Sequence, residues 1–178
     1  MFTKTFVSLS AAKKIAYLAV FTAIAVAVNA FSVDLTPALK LSFTATVGFF
    51  AGAMFGPIGG FAVMFTGDLI GCFFSGYAPN PLIGLATGLL GLIPGLITMH
   101  VRGHLAMKIL LSYVICLIVC TAGLNTFAIY LMTSSSVSYW SYMLTRLPVQ
   151  VPVMAVNAVV SFLLAKLVNR AGTRFTIV

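Results

Sequence analysis

The sequence predicts an all-α integral membrane bundle of six transmembrane helices, forming a single domain over residues 1–178. Three observations lead there. The chain is 61% hydrophobic and 7% charged, which leaves too little polar surface to cover a soluble core of this size. Its apolar residues fall into six runs, and most of these approach or exceed the length needed to cross a bilayer, about 17 to 25 residues. The basic residues gather at one set of run ends, as the positive-inside bias requires.

The first run, 15–31, follows the pair Lys13 and Lys14. No small-residue cleavage site leads from it into a soluble domain, so it is expected to stay as a helix and not to be a removed signal. Ala12, Ala16, Ala19, Ala23, Ala27 and Ala30 recur along it at spacings of four and three, which makes one continuous helical stripe. Small residues let another helix come close, either from a partner or from within the bundle. The link 32–42 carries Asp34, Pro37 and Lys40. It is long enough to fold over a cavity mouth as a lid, or to remain an ordinary solvated loop.

The second run, 41–55, is short for a span and has to tilt. Gly56-Pro57 separates it from the third run, 58–74, because Gly followed by Pro favours a stop and a restart. The fourth, fifth and sixth runs lie near 82–99, 109–132 and 144–168. The breaks between them are Ser75-Gly-Tyr-Ala-Pro-Asn-Pro81, Arg102-Gly-His104 and Thr133-Ser-Ser-Ser136, all rich in turn formers or polar residues. Tyr77, Tyr130, Tyr139, Trp140 and Tyr142 cluster near span ends on one side, as an interfacial aromatic belt does.

Six spans put both termini on one side. Lys4, Lys13, Lys14, Arg102, Lys108, Lys166, Arg170 and Arg174 then share that side, which the charge bias makes cytoplasmic. Lys40 and Arg146 are the exceptions. Five or seven spans would destroy this segregation. The net charge of +8 therefore reflects topology; it is scattered over segment ends and does not form the basic face that a nucleic-acid partner requires.

Asp68 and Arg146 are the two ionised groups well inside apolar runs. A charge within a bilayer costs several kcal/mol, so one that persists there faces a protein interior and marks a substrate or ion site. At 1.5 Å per residue, Asp68 lies about 9 Å and Asn125 about 10 Å below the outer ends of their spans, with Arg146 and Gln150 in about the first two turns of the sixth. These four polar side chains reach one layer, and Arg146 and Gln150 share a helix face. A carboxylate can take two parallel hydrogen bonds from an amino-substituted heterocycle, and Arg can clamp a carboxylate with its fork of donors. The same pair could instead form an internal bridge that merely ties helices together in a structural assembly subunit. Pro148 and Pro152 open the hydrogen-bond ladder around Gln150. Asn157 either extends the lining or bonds a neighbouring helix.

Nothing in the sequence points to an enzyme. It has no Glu, no zinc-type His pair inside a span, no nucleophile triad at plausible depths and no phosphate-cradling loop. His100 and His104 beside Arg102 read as a solvated basic face. Cys72, Cys116 and Cys120 read as small buried hydrophobes. No metal or cofactor is expected, and a chain without a nucleotide site does not energise transport by itself. A small autonomous channel or porter is a further alternative.

Leu41-Ser-Phe43, Phe55-Gly-Pro-Ile-Gly-Gly60, Gly67-Asp-Leu-Ile-Gly71, Leu124-Asn-Thr126 and Thr145-Arg-Leu-Pro-Val-Gln150 resemble the substrate-binding S component of the energy-coupling-factor (ECF) vitamin transporters, specifically its folate family. The likeness runs from the first segment to the sixth. It implies a vitamin-capturing subunit in the bacterial cytoplasmic membrane, surrounded by lipid, that topples when docked on a transmembrane T component driven by two cytoplasmic ATPases. It further implies that Asp68 and Asn125 face a pterin, that Arg146 meets the ligand's polar groups or a carboxylate, with Lys40 as a second cationic candidate, and that Ala12, Ala16, Ala19, Ala23 and Ala27 form the docking face. Asn29-Ala-Phe31 stands where the resemblance leads one to expect a basic residue for a glutamate tail, so a different pterin-like or deazapurine compound is the alternative ligand.

Overall fold

A computed structural model describes residues 4–36, 39–76, 78–133 and 138–170. Its elements in chain order are α1 (Lys4–Val7), α2 (Ala11–Ala30), β1 (Val33–Thr36), β2 (Leu39–Leu41), α3 (Thr44–Phe74), α4 (Pro81–His100), α5 (Leu105–Cys116), a π-helical stretch (Leu117–Asn125), α6 (Thr126–Thr133) and α7 (Tyr139–Arg170). Among the described residues five helices are long and apolar enough to cross a membrane: α2, α3, α4, the continuous run Leu105–Met132, and α7. Large apolar side chains such as Ile15, Val20, Leu110, Ile118, Val159 and Leu163 are exposed along them, as a lipid-facing surface requires.

The longest buried element, α3, is two arms and not one rod. A straight helix of its 31 residues would extend about 46 Å, yet Thr44 near one end and Cys72 near the other line one cavity. The chain doubles back at Gly56, whose φ of 85° and ψ of 178° suit a residue without Cβ. Pro57 then restarts the helix with a preset φ. The turn expected at Gly56-Pro57 is thus present.

Glycine also sets how closely α4 lies against the two arms. A methyl at Gly52 or at Gly91 would overlap the carbonyl oxygens of Gly91 and Gly60 respectively, and one at Gly95 would come within 2.7 Å of Pro57 N. Backbone therefore meets backbone across these three helical pieces, the close approach that small residues permit in membrane bundles. At its N-terminus α4 is fixed by Asn80, whose side chain accepts from Leu82 N at 2.9 Å, followed by Pro81 at the first helical position.

Around this glycine-packed unit, Ala45, Phe49 and Phe50 of the first α3 arm pack with Ile109 and Tyr113 of α5 and with Met154 and Ala165 of α7. Phe6 and Phe21 close on Phe55 with ring centroids 5.0 and 4.9 Å away, which places them beside the turn at Gly56. Helix α2 is held more lightly. Ala25 alone is buried along it, seated where Gly67 leaves room.

Two expectations need correction. The link 32–42 is not plain loop; β1 and β2 pair antiparallel across it, Val33 opposite Leu41 and Asp34 opposite Lys40, so a two-stranded hairpin is added to the helices. Pro148 and Pro152 do not unwind α7, which runs through both. Four residues apart, they share the exposed face, where each removes one ladder bond without disturbing the side that faces the bundle. Lys108, which the charge bias puts on the cytoplasmic side, is 5% exposed in the first turn of α5.

Candidate ligand-binding cavity

A cavity of about 350 Å³ lies between the helices, within the size range of small-molecule sites. Its lining contains Asp68, Asn125, Arg146, Gln150 and Asn157. Side chains separated by as many as 89 positions in sequence, from Asp68 to Asn157, thus share one enclosure. Lys40 lies in β2 by its backbone, and its side chain lies outside the described residues.

The acid end is built on the glycine-packed unit. Asp68 is 7% exposed; its Oδ1 accepts from Asn29 Nδ2 at 3.2 Å and lies 3.2 Å from Thr87 Oγ1, whose single proton is shared with Ile83 O at 3.0 Å. These bonds connect α2, the second α3 arm and α4.

The basic end is built differently. Arg146 is 4% exposed; its Nη1 donates to Thr126 Oγ1 at 3.2 Å, and its guanidinium lies 5.9 Å from the centre of the Tyr142 ring. Among the described residues no ion pair joins it to Asp68. Arg146 Nε and Asn125 Oδ1 are buried without a hydrogen-bond partner among the described residues. Such groups cost about 1 to 3 kcal/mol each when left unsatisfied, a cost that a bound ligand with matching donors and acceptors offsets.

Asn157 touches the cavity but has no bonding capacity to spare. Its Oδ1 accepts from Thr46 N at 3.2 Å and Thr46 Oγ1 at 2.8 Å, while Nδ2 donates to Ser42 O at 3.0 Å and Val153 O at 2.8 Å. It ties α7 to the segment joining β2 to α3, which matches the interhelical alternative. Ser42 and Thr44 bond through their hydroxyls beside it.

Several lining residues escaped the sequence reading. Asn29 and Thr87 contact Asp68 directly, and Asn80, Ile83, Thr87 and Leu90 all face the cavity. Their spacings of three and four were a legible sign of one helix face. Thr121 and Asn125 reach the lining from the π-helical stretch. Its widened turn sits at the cavity, a common placement for π-bulges. Ala12, Ala16, Ala19, Ala23 and Ala27 form no part of the cavity and are all exposed on α2.

Residues 9–170 match the family model described as ECF-type riboflavin transporter, S component. The chain therefore belongs to this family of transporter S components, which are not enzymes. Among solved structures it is similar to FolT bound with folic acid, with a TM-score of 0.74 and 22% sequence identity over 85% of this chain and 92% of that one. That likeness is one of fold. No curated protein sequence matches the chain.

Proposed function

We propose that this chain is the high-affinity vitamin-binding subunit of an ECF-type importer and that its ligand is folate or a related pterin. The observation that carries this reading is the single cavity lined by both Asp68 and Arg146. A pterin presents an amino group and a ring N–H side by side, a two-donor edge suited to a carboxylate acceptor, and the glutamate tail of folate supplies carboxylates for a guanidinium. A flavin's imide edge offers one N–H between two carbonyls and no carboxylate. Riboflavin is the second reading, favoured by the description of the family model.

The two arms of α3 give six apolar segments, which suit six crossings with both termini cytoplasmic and the cavity opening to the outer face. The β1–β2 hairpin, joined to the cavity through Ser42, is read as its lid. Solute captured there passes inward when the chain associates with a T component and two ATPases in the bacterial cytoplasmic membrane. The exposed alanine face of α2 suits that docking. Calorimetric titration of purified protein without ATP tests the ligand. One-to-one binding of folic acid or 5-formyltetrahydrofolate in preference to riboflavin is expected; heat from riboflavin alone would reassign it.

A further inference from the structure

The hydroxyl of Thr126 has its polarity fixed by the chain. Thr126 is 2% exposed, and its Oγ1 donates to Thr121 O, five residues back, at 2.7 Å. In a regular helix a threonine hydroxyl reaches the carbonyl three or four residues earlier; here the π-helical stretch Leu117–Asn125 places the accepting carbonyl one residue further away. A hydroxyl has one proton, and that proton is committed to a carbonyl that can only accept. The lone pairs of Oγ1 are therefore left to accept from Arg146 Nη1 at 3.2 Å. With Nη1 held there and the guanidinium near the Tyr142 ring, the parallel Nε–H and Nη2–H pair is the fork left for a ligand, and Nε is buried without a partner among the described residues.

We propose that Thr126 is a positioning residue that aims the Arg146 fork at a planar anionic group of the ligand, a carboxylate on the reading given above. The inference rests on that reading for its ligand but not for its geometry. Thr126→Val keeps the volume and removes the acceptor, whereas Thr126→Ser keeps the hydroxyl. In calorimetric titration with folic acid, Thr126→Val is expected to weaken binding at least fivefold and Thr126→Ser less than twofold. In an Arg146→Ala background Thr126→Val should cause no further loss, because the two act as one unit. Unchanged affinity, or the same loss with Arg146 already absent, would overturn the proposal. If the natural protein does not bind folic acid, the ligand reading falls, and labelling of the ligand-free protein decides Thr126 on its own. Phenylglyoxal should then modify Arg146 faster in Thr126→Val than in the natural protein or Thr126→Ser, as followed by peptide mass spectrometry; equal rates would dismiss the role.

Discussion

The acid and the base that line the cavity are held by different kinds of structure. Asp68 stands on helices locked backbone to backbone through Gly52, Gly60, Gly91 and Gly95, and Asn29 and Thr87 fix its oxygen. Arg146 stands where α7 meets a π-helical stretch, with one hydroxyl and one ring as its supports. A rigid end sets where a ligand ring sits, while an end held by few side-chain bonds can be tuned by single substitutions. Small residues make the first kind of support and hydroxyls the second, and the two kinds are expected to fail differently.

The largest effect is expected at the locked end. Gly52→Val or Gly91→Val drives a branched side chain into a facing carbonyl and should cost about 3 kcal/mol or more, seen as lost monodisperse yield and a collapsed melting transition in detergent. Normal yield would mean that these helices can move apart and that the contrast between the ends is overstated. Next comes Arg146→Ala, with affinity falling at least tenfold, about 1.4 kcal/mol, in protein that remains folded; titration that finds wild-type affinity would leave Arg146 a structural part. Exchanging the two charges, Asp68→Arg with Arg146→Asp, should abolish ligand binding, since each end has its own fixed partners.

Asn157→Leu leaves Ser42 O without its Nδ2 donor and Thr46 N without its Oδ1 acceptor. A stability loss of about 1 to 3 kcal/mol is expected, read from thermal unfolding, with affinity changed less than stability. The reverse pattern would make Asn157 a ligand contact. The smallest effect on the isolated subunit is expected at Ala19→Leu and Ala23→Leu, both exposed. Stability should stay within about 0.5 kcal/mol and ligand affinity should not change, while uptake by the assembled transporter falls. Undiminished uptake would separate the alanine face from docking.

Much of the fold was legible because the bilayer restricts it. The long apolar helices and the Gly56-Pro57 reversal follow from residue type and spacing. Asp68, Asn125, Arg146 and Gln150 were grouped by the rise per residue, and all four line the cavity. Asn157 could be read either way, because an amide serves equally in a lining and in a helix tie.

The sequence by itself determined that this chain spans a membrane in helices and keeps one acid and one base at depth, since no soluble core or unpaired lipid-facing site would accept them. Only the tertiary structure decided that Asn29 and Thr87 hold Asp68, that Thr126 and not Asp68 meets Arg146, and that a π-helical stretch rather than the prolines shapes the cavity wall. Those outcomes depend on how far apart helices stand and how each is rotated, which is set by side chains meeting across the bundle and leaves no period in the chain to read.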